Sequence, residues 1–259
     1  MKIKVLSIEA DKYAIDKDKK NYKIKILVEG VDPLFLNTIR RFILEEVPTL
    51  AIEDVYIYDN TSVLWDEFLA HRLGLIPFHT PEEFVTKVNE VKVKMKLKKE
   101  GPGWVYAKDI QIEDPRVYTP YPEIPIVWLE KGQRIDIEME AVMGKGKEHA
   151  KWSPGWAYYY QLGELEVVKE LNEEEKRILE ELGVKIEGNR IIVPEEKKYD
   201  RTFLDAIESV NPDKIKFKPN GKYIFVVESY GNYSAEKIIP LAIDLLIEKF
   251  QNFLSKLLE

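Results

Sequence analysis

Two helical stretches near opposite ends of the chain carry more apolar surface than one small core can absorb. The first, "LFLNTIRRFILEEV" (Leu34 to Val47), has Phe35, Ile39 and Phe42 along one stripe and Leu36, Ile43 and Val47 along another. The second, "SAEKIIPLAIDLLIEKFQNFLSKLLE" (Ser234 to Glu259), has Ile239, Ala242, Leu246, Phe250, Phe253 and Leu257 at helical spacing. Ile243, Ile247, Leu254 and Leu258 lie beside them. A surface helix needs an apolar stripe of roughly 100°. These stripes are wider, so each helix is either sandwiched inside a larger core or half of an obligate protein interface.

The rest of the chain supplies the sheets such helices need. "KIKVLSIEA" (Lys2–Ala10) and "YKIKILVEG" (Tyr22–Gly30) read as strands around a charged connector, Asp16–Lys20. Asp32-Pro33 opens the first helix, with Asp32 as N-cap and Pro33 at N1, where its missing N–H costs nothing. Pro48 ends it. "VKVKMKLK" (Val91–Lys98) and "RIDIEMEAV" (Arg134–Val142) alternate strictly and predict strands with one wet face. A short helix is expected over Trp65–Leu73.

Beyond Gly163 the texture changes. Asn172 and Glu175 make a capping box, with a helix stop at Gly183. Gly188-Asn189 predicts a hairpin turn, "YDRTFLDAIESV" a short helix, and Asn220-Gly221 a second strand pair. Leu171, Ile178, Leu179, Leu182, Val184, Ile186, Ile191, Ile192, Phe203, Leu204 and Ile207 are this segment's candidate core. Pro240 either bends the last helix or marks its start.

The composition narrows the chemistry. The chain has 259 residues, a net charge of −7, no cysteine and three histidines. The acidic balance argues against a generic nucleic-acid surface. Without cysteine there is no disulfide, thiol nucleophile or thiolate-held metal. His71, His79 and His149 do not have metal-ligand spacing, and "GKGKEHA" lacks the spacing of a phosphate loop. No catalytic or metal site is expected; a hydrolase built on His71 and nearby carboxylates is unsupported by any motif. No run is long enough for a membrane span, and "MKIKVLSIEADKY" lacks a signal-peptide core. A cytoplasmic protein is expected.

Polar and basic residues beside the apolar ones are the remaining oddity: Arg40 and Arg41 in mid-helix, His71 and Arg72 in "HRLGLIPF", and His149, Lys151 and Trp152 in "GKGKEHAKWSP". They are ordinary packing or docking groups, arginine being well suited to a partner's carboxylate.

In combination, "NTIRRFILEEVPTLAIEDV", "HRLGLIPF", "GKGKEHAKWSP" and "YIFVVESYGNYSAEKIIPLAIDLL" resemble the alpha-like subunits of DNA-directed RNA polymerase. That family includes bacterial alpha, the third-largest subunit of eukaryotic polymerase II and their archaeal counterparts. The motifs look most like the archaeal members, in matching order over nearly the whole chain. The resemblance implies an α+β fold with a split dimerisation domain (1–47, 150–163 and 221–259), an inserted mostly-β domain (48–149) and a small third α+β segment (164–220). It further implies a transcription subunit without catalytic residues of its own. Its helices would meet subunit L in a heterodimer through Phe35, Ile39, Phe42, Ile43, Ile239, Leu246, Phe250, Phe253 and Leu257. The pair would dock the second-largest catalytic subunit and small subunits N and P through Arg40, Arg41, His71, Arg72, His149, Lys151 and Trp152, with no direct DNA role. Many archaeal members are understood to hold an iron–sulfur cluster in the third segment through cysteines. Lacking them, this chain is expected to hold no cofactor. A self-sufficient homodimer, as in bacterial alpha, is the competing scaffold.

Overall fold

The computed structural model describes residues 1–11, 14 and 21–258; the expected connector Asp16–Lys20 lies outside them. Strands β1 (Lys2–Ala10) and β2 (Asn21–Glu29) precede helix α1 (Pro33–Glu45), and β3 (Pro48–Asn60) leads into α2 (Asp66–Gly74). Next come β4 (Lys92–Glu100), β5 (Gly103–Tyr106), β6 (Gln111–Ile112), β7 (Pro125–Leu129) and β8 (Arg134–Lys145). The chain continues through β9 (Gly155–Val167), α3 (Glu173–Glu181), β10 (Lys185–Glu187), β11 (Arg190–Ile192), α4 (Arg201–Val210), β12 (Ile215–Ser229) and α5 (Ala235–Leu258). The strands form three sheets, ordered β1-β2-β12-β9-β11-β10, β3-β8-β4-β6 and β5-β7. The fold is α+β, and the chain divides into two compact units. One comprises Met1–Leu6, Lys25–Leu36 and Tyr158–Val226; the other comprises Ser7–Ile24, Asn37–Ala157 and Val227–Glu259.

In the second unit, the alternation seen in the sequence becomes a two-faced sheet. Val93, Met95 and Leu97 of β4 and Ile135, Ile137, Met139 and Ala141 of β8 are buried in one core with Leu69 and Leu73 of α2. Each large apolar side chain among them contributes about 1.5–3 kcal/mol. The intervening residues face water and pair across the strands, Lys92 with Glu140 at 2.6 Å and Lys96 with Glu138 at 2.8 Å. Gly144 on β8 lies under the Trp152 indole, where an added Cβ would fall 2.3 Å from the ring. That contact requires glycine and explains its place in "GKGKEHAKW".

In the first unit, the third segment closes over its own apolar core. Asn172 and Glu175 form the expected reciprocal capping box on α3, and Gly183 ends that helix region at φ 79°. β10 and β11 pair around Gly188, with Glu187 opposite Arg190. Leu171, Leu179, Val184, Ile191, Leu204 and Ile207 are buried together. Ile178, Ile186 and Ile192 are exposed instead, because short helices and three-residue strands bury only one side. Leu165 on β9 and Ile215 on β12 complete the core.

Glu175 is the polar centre of this segment. Its carboxylate accepts from the Asn172 backbone N–H (2.8 Å), the Asn211 side chain (2.6 Å) and the Lys214 ammonium (2.9 Å). The Lys214 hydrogen bond foremost, then those of Asn172 and Asn211, push its pKa down to about 2.

Asn220-Gly221 does not make the expected hairpin. β12 runs unbroken from Ile215 to Ser229 through Gly221 at φ 71°, and it is hydrogen-bonded to β2 on one side and β9 on the other. The Asn220 side-chain carbonyl makes a local bond, accepting from the Lys222 N–H at 3.1 Å. Pro240 lies inside α5 rather than at its start. It sits on an exposed position in the second turn, where it supplies no N–H for the i→i−4 ladder of the helix.

Candidate interaction faces

The two stripes of α1 do not divide cleanly by burial, since Ile39 of the first is buried with the second. Leu36, Ile39 and Ile43 turn inward, with Ile43 fully buried. Ile39 and Ile43 therefore belong to the chain's own core and not to an exposed partner surface, a correction to the expected set. At the edge of the same face Phe35 is exposed and Phe42 is half-buried.

α5 divides along its length instead. Over its first turns Ala235, Ile238 and Ala242 are buried, while Ile239 and Leu246 are half-buried. From residue 247 to residue 258 every position is exposed. This stretch presents Ile247, Phe250 (65%), Phe253 (65%), Leu254, Leu257 (68%) and Leu258 to solvent. A helix of 24 residues is about 36 Å long, so roughly half of it projects an apolar surface that no described residue buries. Single exposed apolar residues are ordinary, but a contiguous row marks an interaction site.

Charge fastens the inner end of this row. Lys249 of α5 donates to Glu46, just beyond α1, at 2.8 Å and lies 5.2 Å from the centre of the Phe42 ring. Lys145 and Lys147 reach the same carboxylate at 3.2 and 3.6 Å. Burial works to raise the Glu46 pKa, but Lys249 and Lys145 outweigh it and hold the carboxyl below its ordinary value.

The basic residues singled out in the sequence fall into two groups. Arg41 is exposed and bonded along its own helix, to Glu45 at 3.1 and 3.2 Å. Arg40 is half-buried and donates to Asn37 at 3.1 and 2.9 Å. His71 is exposed in the last turn of α2, and His149 caps a short turn by accepting from the Lys151 N–H at 3.1 Å. These four leave polar groups on the surface.

The other three are occupied by their own fold. Arg72 donates to the Ile126 and Pro125 carbonyls at 2.9 and 2.6 Å, tying α2 to β7. Lys151 donates to the Ile52 carbonyl at 2.9 Å, pairs with Glu53 and lies 4.4 Å over the Trp152 ring. Trp152 is buried and donates its indole N–H to the Val142 carbonyl at 3.2 Å. "HRLGLIPF" and "AKW" are thus in large part packing motifs. The signal for this was present in Gly144, eight residues before the indole it accommodates.

Among the described residues no cluster of three His, Asp or Glu side chains could hold a metal ion. The donor set of the third segment, carboxylates and lysines without a thiol, does not fit an iron–sulfur cluster. Among the described residues no helix is long and apolar enough to cross a membrane.

Known proteins resemble this chain over nearly its full length. Residues 55–155, which hold the two-faced β core and the Gly144–Trp152 contact, match the family model described as the RNA polymerase Rpb3/RpoA insert domain. The chain is 36% identical to DNA-directed RNA polymerase subunit Rpo3 of Thermococcus kodakarensis over 250 residues, covering 93% of this chain and 95% of that protein. It is 37% identical to the Pyrococcus furiosus subunit Rpo3, with the same two coverages. It is 35% identical to that of Methanosphaera stadtmanae, over 92% of this chain and 96% of the relative. Identity at this level along nearly the full length shows that the chain belongs to the archaeal Rpo3 family of alpha-like RNA polymerase subunits, and so to a nucleotidyltransferase complex of transcription.

Proposed function

We propose that the chain is a non-catalytic assembly platform of the polymerase, acting in the cytoplasm. Its exposed helical surface takes the matching helices of a smaller alpha-like subunit, subunit L, to form a heterodimer. That pair then recruits small subunits N and P and docks the second-largest, catalytic subunit, with Arg40, Arg41, His71 and His149 among the polar docking groups.

The observation that carries this reading is the uncovered half of α5. Burying Phe250, Phe253, Leu254 and Leu257 against a partner would contribute about 1.5–3 kcal/mol per side chain before association costs. The position of Phe42 and Lys249 at the inner end of the row supports a contact formed by both helices. The absence of cysteine supports a third segment held by its own core and by Glu175, with no cluster. Many of the carboxylates are engaged in ion pairs, which supports a structural rather than a catalytic use.

Co-expression with the subunit L homologue from the same genome tests the reading. A stoichiometric one-to-one pair by native mass, recovered where the single chain self-associates, is the expected result. A single chain that remains monomeric and ignores the small subunit would refute it, and a stable homodimer would replace it with the bacterial arrangement.

A further inference from the structure

A second exposed apolar feature lies on the small β5–β7 sheet, outside the helices of the proposed heterodimer. Trp104 stands opposite Trp128 across the two strands. Their indoles meet edge to face, with centroids 5.6 Å apart and planes at 73°. Both remain open to solvent, at 45% and 40% exposure, while Val105, Val127 and Leu129 take the inner side. Tyr106 continues the aromatic row 6.4 Å from Trp104.

One end of this row already holds a cation. The Lys108 ammonium lies 5.0 Å from the Tyr106 ring centre, and Glu123 accepts from it at 2.8 Å. The other end repeats two of those three parts. It has ring surface, and it has a carboxylate, since Glu130 accepts from the Trp128 indole N–H at 2.8 Å. The third part is missing. Among the described residues no Lys or Arg lies over either indole or pairs with Glu130. Of the neighbouring cations, Lys99 is committed to Asp109 at 2.6 Å and Arg134 to Asp59, while Lys131, next to Glu130 in the chain, makes no ion pair with it.

We propose that Trp104, Trp128 and Glu130 form a docking surface for an extended, arginine- or lysine-bearing segment of a partner protein. A cation over an indole face is drawn by the ring quadrupole, and a carboxylate beside it adds a charge-assisted bond. Single-stranded nucleic acid would also stack on exposed rings, but Glu130 and a chain of net charge −7 repel phosphate. A neutral proline-rich segment would use the rings and leave the carboxylate unanswered. The inference is independent of the heterodimer, because it rests on a different sheet and a different class of contact.

The test is a titration of the full chain with labelled decapeptides of serine and glycine carrying arginines, glutamines or glutamates, alongside a proline decapeptide and oligouridylate. Indole N–H resonances report where each probe binds. The expected result is that the arginine peptide binds about tenfold more tightly than its glutamine counterpart, a difference of about 1.4 kcal/mol, and shifts the Trp104 and Trp128 signals first. Glu130→Gln keeps the indole hydrogen bond and should remove most of that preference. The double change Trp104→Ala, Trp128→Ala should abolish binding, with an unchanged melting curve as the check on folding. Equal binding of the arginine and glutamine peptides would overturn the proposal. So would tighter binding of the proline peptide or the RNA, or a preference unmoved by Glu130→Gln.

Discussion

Lys249 donates to Glu46 at 2.8 Å, so the contact between the end of α1 and the middle of α5 is ionic at the point where α5 becomes fully exposed. Glu46→Gln should leave Lys145, Lys147 and Lys249 facing one another without their shared anion. The expected cost is about 1–3 kcal/mol, read as a lower denaturant midpoint. Because the folded carboxyl has a lowered pKa, its stabilisation is present above its ordinary value of 4.5 and fades as pH falls below it. The glutamine variant should lack that part of the acid sensitivity.

Phe250→Asp separates association from folding. Phe250 is 65% exposed in the single chain, so its melting curve should not move by more than about 0.5 kcal/mol. Pairing with the small subunit should weaken by several kcal/mol, since a charge would be buried without a partner. Phe42→Asp should damage both, because that ring is half-buried in the chain's own fold and a carboxylate loses its apolar contacts. Equal binding of wild-type and Phe250→Asp chains, measured by calorimetry, would remove α5 from the interface.

Arg41 and Arg72 should behave oppositely. Arg41→Ala loses only a solvent-screened surface pair with Glu45, so the melt should not move, and it should reduce capture of the large catalytic subunit while the heterodimer stays intact. Arg72→Ala leaves the Pro125 and Ile126 carbonyls without their donor and should destabilise the fold by about 1–3 kcal/mol. Melts of both variants, with a capture assay beside them, decide between docking and structural roles.

Glu175 should make the third segment acid-sensitive in a defined window. Its folded pKa of about 2 lies below the ordinary 4.5. Its contribution is therefore complete above pH 4.5 and is lost as pH falls toward 2. Hydrogen exchange in α3 and α4, compared between wild type and Glu175→Gln, should converge at low pH and diverge above pH 4.5. Parallel curves at every pH would show that the carboxylate is not the hub.

Elemental analysis of anaerobically purified protein should find no stoichiometric iron, given a chain without cysteine. Iron with a broad visible band near about 400 nm would reveal an unforeseen ligand set.

Much of the local structure was legible in the sequence because the signals were strong and short-range. The Asp32-Pro33 start of α1, the Asn172–Glu175 capping box and the lysine alternation of β4 each depend on neighbours within a few residues. The failures share a different cause. Asn220-Gly221 carries a turn dipeptide, but the flanking strands β2 and β9 keep β12 extended, and no local pattern announces them. The stripes of α1 and α5 showed excess apolar surface but not which part faced inward, since Ile43 and Phe42 are adjacent and equally apolar. Arg72, Lys151 and Trp152 looked like surface chemistry because their partners, backbone carbonyls and a glycine face, carry little sequence signature.

The outer half of α5 has a consequence for the life of the subunit before assembly. Residues 247–258 bury nothing of their own, and a stretch of that length is marginal as an isolated helix. Beyond the Lys249–Glu46 contact little of the described chain holds it, so in the lone chain its outer amides should exchange readily and its peptide bonds should be open to proteases. The proposed pairing would remove that exposure at one stroke. On the proposed pairing, the same row would mark an orphan chain for turnover and spare an assembled one, coupling subunit stoichiometry to quality control.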